Sequence, residues 1–408
     1  MSGMGRSAWG ADHRAAVGSS AVADRSPSTW WNSGLSALTG RADGPALGPP
    51  PGLVPGVQAL AASIARDSAR LGRTVGVDPL GLMAARARLG ALHRRGSVSC
   101  GGSSRLLPTA DGWMAVTLAR PSDWELVPAW LGLPGPVDAG DWSPVAAAVG
   151  DSGGEDLVGR TAGLGLPVAR VGERQARHDV PVGSADGIDG ITARRLAKRR
   201  PPSDLGDLVV ADLSALWAGP LVGALLLRAG ARVVKVESST RPDGARTGSR
   251  GHFATLDEGK DGVTVDVGTP GGRRVLHRMI DESDVVITSA RPRAIEQLGL
   301  DPEDSVRHGR PRVWLSITGY GGVPGSADRV AFGDDAAAAG GLVVRDDRGP
   351  CFCADAVADP VTGLAAAAAV LGALANGGDH LLGASMADVA GGLVGGPGSS
   401  STATGGAG

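Results

Sequence analysis

This chain is poor in aromatic residues and cysteines and carries no large excess of either charge. Its three cysteines, Cys100, Cys351 and Cys353, are too few for a disulfide framework and suit a reducing compartment. Cys351-Phe352-Cys353 is a lone C-x-C pair without a second pair or clustered histidines, so no metal site is expected. A formal net charge of −2 argues against a generally basic nucleic-acid binder. The single basic run, Arg194 to Arg200, reads as a solvated linker. No stretch reaches about eighteen apolar residues free of Gly, Pro and charge, so no membrane span is expected. The N-terminal stretch has no apolar run of signal-peptide type, and a cytoplasmic location is expected. The G-x-G-x-x-G loop of dinucleotide folds is absent, which weighs against a nicotinamide dehydrogenase.

What is present is length and alternation. The 408 residues suffice for two or three domains, each with its own core. Residues 1–29 are polar and aperiodic and read as a loose tail. A first region follows over 30–182. Apolar residues recur at helical spacing over Leu60–Leu71 and Pro79–Leu92, the latter with Asp78 as N-cap and Pro79 at the first helical position. After the small-residue turn Cys100-Gly101-Gly102-Ser103-Ser104, a strand is predicted over Gly112–Leu118 and a helix over Ser122–Leu131. Residues 183–204 read as a linker, and 391–408 as a Gly- and Ser-rich tail.

From 205 to 390 strands and helices alternate. The predicted strands are Leu208–Leu213, Arg232–Glu237, Asp284–Thr288 and Arg312–Thr318. The predicted helices are Pro220–Ala229, Thr269–Ser283 and an Ala-rich one from Asp359 to about Ala375. Such alternation predicts an α/β fold: a Rossmann-like parallel-sheet domain, with a smaller α+β domain placed N-terminal to it.

Two short motifs carry chemistry. Ala218-Gly219-Pro220 sits where the first of these strands hands over to a helix, so free N–H groups and the helix dipole face any bound anion; a plain strand-to-helix turn reads the same way. Glu237 ends the second strand, where a dinucleotide fold would place its ribose-binding acid. Asp359 precedes Pro360 at the head of the Ala-rich helix. Asp is a favoured N-cap and Pro a favoured first residue, which is one reading. The other is a nucleophile, held as its anion by the helix N-terminus and able to attack an acyl carbon at neutral pH.

In order along the chain come Val209-Val210-Ala211-Asp212-Leu213, Ala218-Gly219-Pro220, Leu226 to Ala231, and Val233-Val234-Lys235-Val236-Glu237. Then follow Asp243-Gly244-Ala245-Arg246, Gly259-Lys260, Val263 to Asp266, Arg291-Pro292, Ser316 to Gly321, and Asp359-Pro360-Val361-Thr362-Gly363. This series resembles the first half of the family III CoA-transferases, the CaiB/BaiF type, and covers about Leu205 to Met386. The resemblance implies that Asp359 attacks an acyl-CoA thioester to give a mixed anhydride. An aspartyl-CoA thioester follows, from which an acceptor carboxylic acid takes CoA. Coenzyme A is then a substrate and no permanently bound cofactor is implied. The residues around Trp217, Ala218, Gly219 and Pro220, together with Arg291, would line the CoA site, and Arg329 could offer a charge to a phosphate. A homodimer is implied, with neither nucleic acid nor membrane as a partner.

The chain also departs from that pattern. Trp217 stands where family members carry Gln, Ser289 replaces an adenine-side Asn, and Gln297 replaces a basic residue. The segment from Gly101 to Val171 resembles the family's small domain, which normally follows the catalytic segment; Gly101-Gly102-Ser103-Ser104 falls at its glycine-rich loop. Upstream, Ser33-Gly34, Leu38-Thr39-Gly40 and Asp43-Gly44-Pro45 echo the stretch before the nucleophile, but no D-x-x-T-G follows there. The order is that of the tail of one copy joined to the head of another. Two alternatives stand beside CoA transfer. One is a CoA-binding or partner-binding protein without catalysis, as the changes at Trp217 and Ser289 allow. The other is an acyl-CoA racemase, whose His-Asp pair would fall at Gly333-Asp334.

Overall fold

The computed structural model describes residues 29–174, 187–322 and 325–395. Of the expected tails at 1–29 and 391–408, residues 1–28 and 396–408 lie outside them, as do 175–182 of the expected first region and 183–186 of the expected linker; the start of the second expected tail is instead packed, with Leu393 and Val394 against the main core. Among the described residues, three sheets are built from twelve strands. A three-stranded antiparallel sheet holds β1 (Ser104–Thr109), β2 (Gly112–Thr117) and β3 (Val168–Arg170). A hairpin pairs β10 (Val343–Asp346) with β11 (Gly349–Phe352). The main sheet has seven strands, in the spatial order β4-β12-β9-β8-β5-β6-β7. They are β4 (Ile191–Ala197), β5 (Val209–Leu213), β6 (Arg232–Ser238), β7 (Asp261–Val265), β8 (Val285–Thr288), β9 (Val313–Thr318) and β12 (Asp379–Ser385).

Six of these seven run parallel. Numbered among themselves along the chain, they lie in the order 3-2-1-4-5-6, the doubly wound arrangement of nucleotide-binding folds. The reversal of direction falls between β5 and β8, and ligands of such sheets bind in the crevice beyond the strand ends at that point. The expected α/β class is therefore present. Four of its parallel strands, β5, β6, β8 and β9, were legible because strands covered on both faces read as near-continuous apolar runs, as in Val285-Val286-Ile287, whereas β7 and β12 were not predicted.

β4 lies inside the stretch expected to be linker. It pairs antiparallel with β12, Ile191 opposite Ala384 and Ala193 opposite Leu382. β12 would otherwise present a row of unpaired backbone groups. The added strand buries Ile191 and turns its arginines outward, where Arg194 pairs with Glu303, and charge on an outer strand blunts further pairing.

The expected unit 30–182 is divided by packing. Residues from Trp30 to Cys100 join the core of the main sheet, sharing one apolar cluster with Val210, Leu221, Leu315 and Leu364. The helix Leu53–Arg70 lies along the helix Ala358–Asn376. That second helix is buried on nearly every face, so something must cover the side the sheet leaves open, and Leu53, Val57, Leu60 and Ile64 supply the cover. The helix starts earlier than its apolar spacing predicts because Pro55 falls in the first turn, where a missing N–H costs nothing. The expected Pro79–Leu92 helix is two short ones, Pro79–Met83 and Ala85–Leu89; the Asp78 carboxylate accepts from the Gly81 N–H as an N-cap should. By length and composition alone the Ala358–Asn376 helix could cross a membrane, but 94% of its apolar window is buried inside the protein.

The small unit is what remains, residues 104–171, with a separate core of Met114, Val116, Val127, Trp130 and Leu157. It docks on the helix Gly333–Gly340, where the Gly172 N–H donates to the Ala338 carbonyl.

Candidate active site

The crevice begins where β5 ends. Asp212, fully buried, accepts from the Ser214 N–H at 3.1 Å and from Lys260 Nζ at 2.9 Å. Lys260 also donates to Asp257 and to the Pro220 carbonyl. Lys235 donates to the Ser214 carbonyl and to Asp243, whose carboxylate accepts the Leu216 N–H. Both lysines are buried and both are met by carboxylates, so the network is satisfied rather than merely expensive. Burial alone would raise the Asp212 carboxyl, and the charges of Lys260 and Lys235 outweigh it and hold it down. The network clamps the turn hard enough to keep Leu216 at φ +70°, a strained value for a leucine.

The helix Ala218–Arg228 starts directly after this turn, with Trp217 as its N-cap residue and Ala218, Gly219 and Pro220 all buried. A β-carbon on Gly219 would collide with Ser214, so glycine is required for the helix to start that close to its turn. The Ala215 N–H donates to Ser289 Oγ at 3.0 Å, tying the end of β5 to the end of β8 across the point where the sheet reverses. Arg291 follows, exposed at the head of the short helix Pro292–Gln297.

Asp359 stands in the first turn of Ala358–Asn376. It is not the N-cap, as the sequence led one to expect, because the helix begins one residue earlier, at Ala358. The approach to it is a strained loop in which Ala354 and Ala356 adopt φ +58° and +44°. Neighbours hold both: the Ala354 N–H donates to Thr39 Oγ1, and the Ala356 N–H donates to Asp334 Oδ1. Asp355 lies between them, buried, and accepts both arms of the Arg86 guanidinium. Asp334 also accepts from Ser104 Oγ at 3.0 Å, so the small unit reaches the site through β1.

Three carboxyl groups thus gather round one arginine. Burial pushes the Asp359 carboxyl up to about 7; Arg86 opposes this, while Asp334 and Asp355 reinforce it. The expectation that a helix N-terminus keeps Asp359 fully ionised fails here, because desolvation and two like charges outweigh the helix dipole and Arg86. Asp334 is raised as well, first by burial and then by Asp355. Its neighbour Asp335 is pushed up to about 8 by burial and accepts from the Phe332 N–H and Thr117 Oγ1. Asp359, Asp334 and Arg86 each keep some surface open to solvent. Among the described residues no group of His, Cys, Asp and Glu is arranged to hold a metal ion.

The model of the family described as CoA-transferase family III matches residues 205–395. Residues 205–395 belong to CoA-transferase family III. The chain is 31% identical over 189 residues to a succinyl-CoA–D-citramalate CoA-transferase of Chloroflexus aurantiacus, covering 44% of this chain and 46% of that protein. It is 33% identical over 117 residues to the human alpha-methylacyl-CoA racemase, covering 29% and 28%. A crystal structure of a CaiB/BaiF family protein from Brucella suis is 30% identical, covering 47% of this chain and 55% of that one, at a TM-score of 0.43. The chain spans about half the length, or less, of the curated relatives it matches.

Within this family III segment the structure brings Trp217, Ala218, Gly219, Pro220 and Arg291 to the reversal point of the sheet. Gly363, one turn beyond Asp359, ties Asp359's helix to the same place: a β-carbon on it would stand 2.9 Å from the Ala218 carbonyl oxygen and 2.7 Å from Leu221. Arg329 is elsewhere engaged. It pairs with Glu173 at 2.6 Å, donates to the Val168 carbonyl and lies over the Tyr320 ring, which leaves it holding the small unit rather than free for a phosphate. Glu237 is likewise occupied, by Arg246 and by the Asp243 N–H. Trp217 is buried edge-on against His252, with the Arg86 guanidinium 5.6 Å from its ring centre. Sequence reasoning missed Arg86 and Asp355, and reached Ser104 only as part of the glycine-rich turn Gly101-Gly102-Ser103-Ser104. Asp355 gives no helical-spacing signal, because it lies in the loop before Ala358, where the helix begins.

Proposed function

We propose that this protein is a CoA-transferase that moves CoA from an acyl-CoA donor to a carboxylic acid through a covalent intermediate on Asp359. The observation that carries the reading is Asp359 itself: a residue that keeps some surface open to solvent, its carboxyl within reach of the Arg86 charge, on a helix that packs at the head of the Ala218–Arg228 helix. An Asp359 oxygen attacks the thioester carbonyl, the C–S bond breaks, and CoA leaves as thiolate, giving an acyl-aspartyl anhydride. The thiolate then attacks the aspartyl carbonyl, and the donor acid departs as carboxylate. The resulting aspartyl-CoA thioester is attacked by the acceptor carboxylate, which releases the thiolate and forms a second anhydride. Attack of that thiolate on the acceptor's acyl carbon gives the new acyl-CoA and frees Asp359.

Amide groups at the head of the Ala218–Arg228 helix and the exposed Arg291 suit an anionic ligand at the sheet's reversal point. Hydroxylamine added with an acyl-CoA should leave a hydroxamate on Asp359. Trp217 favours a second reading, CoA binding without transfer, since a buried indole fills a position where the family's Gln touches CoA and the intermediate. Binding of CoA with no hydroxamate would select that reading. A racemase is disfavoured, because a β-carbon on Gly333 would run into Asp359 and leave no room for a histidine.

A further inference from the structure

Contacts between residues separated by 305 positions recur in this chain. Arg41 pairs with Asp346, Arg348 pairs with Asp43, and Arg70 donates to the Ala375 carbonyl, each across 305 positions. The helices Leu53–Arg70 and Ala358–Asn376 start 305 residues apart and pack on each other. Pro55 matches Pro360, Gly44-Pro45 matches Gly349-Pro350, and Gly72 matches Gly377, with φ +93° and +67°. Residues that face their own counterparts lie on a two-fold axis. Two copies of one unit therefore meet face to face within this chain, and opposite charges stand where identical copies would place like ones.

The two ends of this internal pair differ in what they carry. At one end are Asp359 and Arg86. Their counterparts at the other are Val54 and Gly391. At that end the Gly52 N–H donates to the Val394 carbonyl, and the segment after Gly391 packs on the head of Leu53–Arg70 through Leu393 and Gly56. Both groups are lost from the one end and both are kept at the other, on opposite copies.

We propose that Arg86, supplied by the degenerate copy of the same chain, is a positioning residue for Asp359. It holds Asp355 with both arms and lies against Trp217, and so anchors the strained loop that leads into Asp359's helix; its charge also opposes the burial that raises the Asp359 carboxyl. The charged groups that face Asp359 are Arg86 from the Ala85–Leu89 helix, Asp334 from the Gly333–Gly340 helix and Asp355 from the strained loop. The proposal rests on Asp359 being the reacting carboxyl, and its test separates the two ideas.

The titration of Asp359 is followed by carbon-13 NMR of aspartate-labelled full-length protein, with Asp359→Asn identifying the signal. Arg86→Met should move the Asp359 titration to higher pH by about one unit or more, and Arg86→Lys should restore part of the shift. Arg86→Met leaves Asp355 buried without a partner, so Arg86→Met/Asp355→Asn is compared with Asp355→Asn alone, and the same direction is expected. Hydroxamate formation on Asp359 should then fall about tenfold near pH 6 and recover near pH 9. An Asp359 titration unmoved by removal of Arg86, or a loss of reactivity equal at all pH values, overturns the role of Arg86. A wild-type protein that forms no hydroxamate counts against the transfer reaction instead, and leaves the titration readable.

Discussion

Gly333 and Asp359 stand so close that a β-carbon on Gly333 would strike Asp359 Oδ2 and stand 2.5 Å from the Ala356 carbonyl oxygen. Gly333→Ala therefore has to displace Asp359 or its loop. Hydroxamate formation on Asp359 should fall more than about tenfold, because small misplacements of a reacting group are costly. CoA affinity should stay within a few-fold, which calorimetry would read. Unchanged reactivity would show that Asp359 does not work from this position.

The pH dependence follows from the carboxyl's surroundings. With Asp359 pushed up to about 7, its reactive anion gains population as pH rises through that value. Hydroxamate formation should rise from pH 5.5 to pH 8 and then level, provided that CoA binding is saturated throughout. A rate constant over that interval would mean an ordinary, fully ionised carboxylate.

The same group affects stability with a definite sign. Its folded value lies above its ordinary one, so the unfolded chain gives up its proton first as pH rises, and the native state is progressively weakened between about pH 4 and pH 7. Asp359→Asn removes this effect. Its stability relative to the parent should improve across that interval, by something on the order of 1–3 kcal/mol, and remain constant above it. Urea titrations at three pH values would read the difference.

Arg291 and Arg329 should separate cleanly. Arg291 is exposed at the reversal point of the sheet, whereas Arg329 is tied to Glu173 and Tyr320. Arg291→Ala should weaken CoA binding roughly tenfold, and the loss should shrink at high salt. Arg329→Ala should leave CoA binding within about twofold and lower the melting temperature instead. Equal losses of CoA affinity would contradict this division.

Gly363 has no room for a side chain between Ala218 and Leu221. Gly363→Ala should cost about 1–3 kcal/mol and part the head of the Ala218–Arg228 helix from Asp359's helix. An alanine variant as stable as the parent would mean that the two helices are not in register there.

Much of the parallel sheet could be read from the sequence, because buried strands leave apolar runs and the connecting helices leave caps such as Thr269-Pro270. β4 could not, since an edge strand that defends itself with arginines has the composition of a linker. The role of residues 30–100 was hidden for a different reason. Leu53–Arg70 announces an amphipathic helix, but not that its apolar face covers a helix 305 positions away. Asp359 was visible through its motif. Arg86, in Ala84-Ala85-Arg86-Ala87, resembles any exposed helical arginine, and only the fold reveals that Asp355 and Trp217 surround it. Arg329 misled in the opposite sense, because its partner Glu173 lies 156 residues away.

The central claim is that Asp359 becomes acylated. The protein is incubated with an acyl-CoA and hydroxylamine, digested, and its peptides are read by mass spectrometry. A hydroxamate confined to Asp359, dependent on the acyl-CoA and absent from Asp359→Asn, is the predicted result. An unmodified Asp359 peptide, under conditions where CoA is shown to bind, would contradict it.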